Sequence, residues 1–179
     1  IQPGSPGQPS RPIDVREATA LPPTPFTDAD VHFMQGMIGH HAQALDMVTL
    51  LKTRTMRGDM KLLGQRIELS QADEIQLMQH WLQARGQPLP SGHMHALMPG
   101  MLTADQMDRL AHAAGVEFDR LFLEGMIRHH DGALAMVKEL FDTPGAGQDP
   151  EIFTFASDVD ADQRAEIARM GAMLAELQQ

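Results

Sequence analysis

The segment Met37-Ile38-Gly39-His40-His41-Ala42-Gln43-Ala44-Leu45-Asp46-Met47-Val48 returns 89 positions later as Met126-Ile127-Arg128-His129-His130-Asp131-Gly132-Ala133-Leu134-Ala135-Met136-Val137. A doubled His-His pair with methionines on both sides sets imidazole beside thioether, the donor combination that copper ions favour. The chain has no cysteine, so thioether is its only soft sulfur donor, and neither a disulfide frame nor a thiolate site is open to it.

If the repeated segments are helical, spacing sorts these donors. Met37 stands three and four residues before His40 and His41, so it can pinch one ion with either, and Met126 does the same with His129 or His130. Neighbouring residues diverge by about 100° around a helix, which predicts that His40 and His41 do not share an ion. Met47 lies about 10 Å along the axis from His40 and reads as core, as does Met136. Met34 adds a third donor to the first set, but its counterpart is Leu123, so the first site is expected to be the tighter.

The surrounding sequence must supply the elements that bring these groups together. Asp30, Phe33, Gly36 and Ala44 also recur, as Asp119, Phe122, Gly125 and Ala133. A second pattern follows each pair: Ile67, Gln71, Glu74, Ile75, Met78 and Leu82 match Val159, Gln163, Glu166, Ile167, Met170 and Leu174. The unit is thus a helical hairpin used twice. Capping-box signals at Thr27 with Asp30 and Thr103 with Gln106, and the Asp149-Pro150 start, mark helix beginnings. The predicted helices run over about 28–53, 59–85, 103–114, 116–142 and 150–177. Two hairpins joined by a crossover from Gly86 to Gly115 predict an all-α, ferritin-like four-helix bundle with an extra short helix in the crossover.

On the first helix, Phe33, Met37, His40, His41, Ala44 and Val48 share the face expected to turn inward. On the second, Glu74 and Gln71 interrupt an apolar stripe, and Glu166 and Gln163 do so in the second repeat. A buried carboxylate needs a partner, which a facing imidazole or a metal ion would supply. Glu74, Glu166, Gln71 and Gln163 are therefore expected to stand behind the metal ligands, or to form a purely structural network with the histidines.

A second candidate set lies in the crossover, where His93, Met94 and His95 are followed by Met98 and Met101 among Pro90, Pro99 and Gly100. Copper capture by exposed donors and a hydrophobic plug closing the bundle are the competing readings. His32, His80 and His112 read as surface or packing residues, and Trp81 as a core anchor.

Composition narrows the partners. A net charge of -10 with no basic stripe argues against nucleic acid and favours a cationic ligand. The 14 methionines and 4% aromatic content predict a core of aliphatic and thioether side chains. No apolar run is long enough to span a membrane. Residues 1–25 hold seven of the twelve prolines and read as an extended leader, with residues 26–179 as one domain. Such a leader, in a chain starting at Ile rather than Met, fits removal of a signal peptide and export to the periplasm or cell surface.

The pattern Phe33-x-x-x-Met37-Ile38-x-His40-His41-x-x-Ala44-x-x-Met47, then Gln71-x-x-Glu74-Ile75-x-x-Met78, resembles the bacterial family known as domain of unknown function 305, in its two-repeat form. The Pro99-Gly100-Met101-Leu102-Thr103 and Gly115-Val116-Glu117-Phe118-Asp119 segments resemble it too. The resemblance covers about residues 27–177. It implies a ferritin-like bundle, usually exported, with some members implicated in copper binding and resistance. By position it implies Met37, His40, His41, Met126, His129 and His130 as ligands.

The expected function is that of a non-enzymatic, exported copper protein that sequesters or passes on Cu(I), and accepts Cu(II) through imidazole, with a copper-transport protein or an oxidase as its partner. Since neutral imidazole is the binding form, affinity is expected to fall below about pH 6.5. A di-metal oxidase on the same bundle would need Glu-x-x-His on two helices, yet Leu77 and Arg169 stand three residues after Glu74 and Glu166. A scaffold with a structural His/Glu core is the remaining alternative.

Overall fold

The computed structural model describes residues 25–90 and 97–177. Five helices follow in order: α1 (Asp28–Arg54), α2 (Gly58–Ala84), α3 (Ala104–His112), α4 (Gly115–Asp142) and α5 (Pro150–Leu177). Their ends fall within two residues of the sequence-based boundaries. Both capping boxes form: Thr27 and Thr103 accept from the backbone N–H of Asp30 and Gln106, whose side chains reach back to the cap residues. Asp149 starts α5, its Oδ1 accepting from the backbone N–H groups of Glu151 and Ile152 at 3.0 and 3.2 Å.

α1 packs on α2, α4 on α5, and the two hairpins meet along α1 and α4. The last two helices run antiparallel, because Gly36 faces the methyl group of Met136 while Gly125 faces that of Met47. A pseudo-twofold axis therefore passes between the hairpins near the histidines. The apolar core divides into two clusters. One holds Phe33, Met34, Met37, Met78, Trp81, Met136 and Phe155; the other holds Met47, Leu51, Ile67, Phe118, Phe122, Met126 and Met170. Trp81 anchors its end as expected, buried, edge-on to Phe26 at 5.5 Å and with Arg85 4.3 Å above its ring.

The crossover is pinned to both inner helices. From α1, the Gln43 amide brackets Leu102, accepting from its N–H at 2.7 Å and donating to its carbonyl at 2.9 Å. On α4 the position matching Gln43 is Gly132, and a Cβ there would lie 1.9 Å from the Pro99 carbonyl oxygen. A Cβ on Gly100, at φ 77°, would lie 2.3 Å from the Arg128 carbonyl oxygen. The repeat thus breaks where the chain must pass over it. Met98 and Met101 are half-buried rather than exposed, with Met98 packed over Gly36 and Met136. His93, Met94 and His95 lie outside the described residues.

Gly132→Ala should force the crossover off α4 and cost about 2 kcal/mol or more, whereas Gly171→Ala, with open space around it, should be neutral or stabilise by up to about 1 kcal/mol. Urea unfolding of the two variants beside the wild type checks both signs.

Candidate metal centre

Between the two apolar clusters lies a layer of polar side chains. His40, His41 and His130 are fully buried and His129 is 1% exposed. Each keeps one ring nitrogen tied. His41 Nε2 donates to Glu74 and His130 Nε2 to Glu166, both at 2.5 Å. His129 Nε2 donates to the His40 carbonyl at 3.0 Å. Exact symmetry would send His40 to the His129 carbonyl. Instead its Nε2 donates to the Pro99 carbonyl at 3.0 Å, so the crossover completes the centre.

The second nitrogen of every ring is without a partner: the Nδ1 atoms of His40, His41, His129 and His130 are all buried and unpaired. With Nε2–H fixed by its acceptor, a neutral ring presents Nδ1 as a bare lone pair. Burial is the main cause holding His40 down to about pKa 3, with the neighbouring His41 adding to it. Burial likewise holds His129 well below the ordinary imidazole value, with His40 adding to the effect. These two rings are therefore neutral far below pH 6.5, which moves the expected proton competition to lower pH for them.

The rings of His40 and His129 meet across the pseudo-twofold axis, their centroids 3.7 Å apart and their planes tilted by 36°. Within each consecutive pair the centroids are 6.3 Å apart. Two metal–nitrogen bonds of about 2 Å, plus about 1.1 Å from each ring centre to its nitrogen, place rings that share an ion end to end about 6 Å apart. Met37, one turn earlier, closes the first apolar cluster against this layer, and Met126 closes the second; both are fully buried. Met34 is buried beside Met37 in the same cluster.

Behind the imidazoles the two repeats differ. Glu74 also accepts from the Ser70 hydroxyl at 2.9 Å. Burial pushes its carboxyl up, but the His41 hydrogen bond and charge, together with Ser70, hold it below the ordinary value. The counterpart of Ser70 is Asp162, pushed upward by burial and then by Glu74, Glu166 and Asp158. Asp158, Asp162, Glu151, His80 and Glu74 line an open cleft of about 760 Å³ between α2 and α5. Gln71 and Gln163 are buried beside the carboxylates, with both amide atoms of Gln71 and Oε1 of Gln163 unpaired.

The structure thus brings together both His pairs with Glu74 and Glu166, and sets Met37 and Met126 at the borders of their layer. Met98 and Met101 belong instead to the crossover. Among the described residues, no three His, Asp or Glu side chains gather closely enough to hold an ion by themselves. Sequence reasoning missed Pro99, whose carbonyl has no side-chain signal, and Ser70 and Asp162. Their spacing four residues before each Glu was available as a clue.

The model of the family described as domain of unknown function 305 (DUF305) matches residues 30–174. A DUF305 fragment from Deinococcus radiodurans is 34% identical, with a TM-score of 0.76 over 87% of this chain and 99% of that one. A DUF305 protein from Streptomyces coelicolor, provisionally described as secreted, is 28% identical, with a TM-score of 0.73 over 84% and 94% of the respective chains. CopM in its Cu(I)-bound form is 29% identical, with a TM-score of 0.68 over 82% of this chain and 96% of that one. CopM has also been solved with Cu(II) and with silver. Among curated proteins none matches.

The depressed His40 and His129 values fix a sign for stability. Between the folded values and about pH 6.5, the unfolded chain binds protons that the folded chain refuses, so stability rises with pH across that window. Lowering pH from about 6 to 4 should remove up to about 1.4 kcal/mol per unit through His40, and His129 adds a loss of the same sign. The lowered Glu74 carboxyl adds a loss below about pH 4.5. Urea titrations of the apo-protein against pH check this; a flat profile from pH 7 to 5 would contradict the buried neutral rings.

Proposed function

The chain belongs to the DUF305 family, and we propose that it is an exported, non-enzymatic protein that holds Cu(I), and Cu(II) through its imidazoles, for sequestration or transfer. The observation that carries this reading is the set of four buried Nδ1 atoms without a hydrogen-bond partner, each on a ring whose other nitrogen is fixed. Leaving four buried ring nitrogens unmatched costs stability that a packed core would otherwise keep. A bound ion recovers that cost.

The donor set selects the ion. Hard cations ask for six or more oxygens, whereas Cu(I) accepts two or three imidazole or thioether donors. Each consecutive pair offers two Nδ1 atoms at a matching ring separation, with Met37 or Met126 one turn away as the sulfur donor. Glu74 and Glu166 take the role that carboxylates play behind metal-bound histidines: they fix the tautomer, orient the ring and raise its basicity. CopM, which has Cu(I)-, Cu(II)- and silver-bound structures, supports the same class of cargo. The secreted description of the Streptomyces coelicolor relative supports export, and among the described residues no helix is long and apolar enough to cross a membrane.

Anaerobic Cu(I) competition titrations test this reading. Replacing His40, His41, His129 and His130 together by Ala should abolish the tight sites, and unchanged stoichiometry and affinity would overturn them. Glu74→Gln or Glu166→Gln should weaken Cu(I) binding by about 10- to 100-fold while leaving the number of sites intact. Steady-state assays with Fe(II) or Cu(I) should show no oxidation above the uncatalysed rate.

A further inference from the structure

A second group of soft donors lies outside the histidine layer, at the end of the bundle where the crossover meets α1 and α4. A cavity of about 270 Å³ there is lined by His32, Met98, Met136 and Glu139, among others. His32 and Glu139 are exposed, Met98 is half-buried and Met136 is buried. Gly36, one turn after His32, makes the room: the methyl carbons of Met98 and Met136 come to 3.2 and 3.4 Å from where its Cβ would stand. Two thioether side chains from different parts of the chain therefore converge beside an imidazole on the same helical face, with a carboxylate at the rim.

The internal repeat supplies a control for this arrangement. The pseudo-equivalent cleft has Gly125 in place of Gly36, and Leu102 packs over it where Met98 packs over Gly36. Leu121 stands in place of His32 and Leu50 in place of Glu139. Met47, the counterpart of Met136, keeps its methyl carbon 3.3 Å from where a Gly125 Cβ would stand, so one thioether is common to both places. A cleft of about 190 Å³ beside Gly125 is lined by Leu102, Leu121 and the arginines Arg109, Arg120 and Arg128. Packing is thus satisfied by leucine in place of His32 and Met98. Apolar filling does not call for an imidazole and a second thioether there.

We propose that His32, Met98 and Met136 form a second binding site for a soft monovalent ion of the Cu(I) class, distinct from the core pairs, with Glu139 balancing its charge. One imidazole and two thioethers make a three-coordinate set that selects Cu(I) or Ag(I) over hard divalent ions. The exposed His32 gives this site direct contact with solvent, so it receives ions by ligand exchange without opening the core. No change of oxidation state is involved.

The test uses the full chain, with Ag(I) or anaerobic Cu(I) alone as the probe. In methyl-labelled protein, the Met98 and Met136 resonances should shift on metal addition, and the His32 ring nitrogens should shift with them. The double variant His32→Leu/Met98→Leu copies the leucines of the equivalent cleft. It should lose one bound equivalent while the His40, His41, His129 and His130 nitrogens still respond. Unmoved Met98 and Met136 methyl groups in the wild type, or full stoichiometry in the double variant, would overturn the site. The fourfold core His→Ala variant should keep the Met98 and Met136 shifts, so failure of the core assignment and failure of this one give different spectra.

Discussion

Four imidazoles are enclosed in this bundle with one nitrogen bound and the other free, and the rest of the structure is arranged around that constraint. A buried imidazole is tolerable when hydrogen-bonded, and protein groups meet only half of the hydrogen-bonding capacity of each ring here. The carboxylates Glu74 and Glu166 satisfy the outer rings from α2 and α5. Backbone carbonyls satisfy the inner ones, and the His40 and His129 rings face each other across the axis. The apolar clusters on either side, each closed by a methionine, keep the layer dry. A fixed Nε2 and burial together hold each Nδ1 in place, which suits the preshaped donor set of the proposed function.

Duplication made this arrangement economical, and the crossover made it unequal. Two identical hairpins facing each other across an axis would leave both inner histidines looking for the same kind of acceptor. The Pro99–Gly100 segment enters at that point, supplies the His40 acceptor, and requires α4 to give up a side chain at Gly132. Repeat one keeps Gln43 at the matching position and uses it to hold Leu102. A similar divergence separates Ser70 from Asp162 behind the two carboxylates. The two halves therefore share their histidines and carboxylates but not their electrostatic surroundings, which is the physical basis for expecting unequal affinities in the proposed sites.

Much of this was legible in the sequence because local and repeated signals agreed. Thr27 with Asp30, Thr103 with Gln106 and Asp149-Pro150 place three helix starts by capping chemistry alone, and the pairing of the His segments with the Glu segments follows from helical periodicity. The inward turn of His40 and His41, and the facing of Glu74 and Glu166, needed only the repeat. What was not legible depended on distances between elements far apart in the chain. A carbonyl such as that of Pro99 carries no side-chain signature. The half-burial of Met98 and Met101 follows from the crossover lying on the bundle rather than looping away from it. The departure of Gly132 from Gln43 was the one sequence clue to that close approach.

Anomalous scattering from a crystal of the full chain loaded with Cu(I) under anaerobic conditions addresses the central assignment most directly. Peaks inside the bundle, within about 2 Å of the Nδ1 atoms of His40 and His41 and of His129 and His130, are the expected result. An empty histidine layer, with metal only on exposed carboxylates and no density within bonding distance of any of the four Nδ1 atoms, would contradict it.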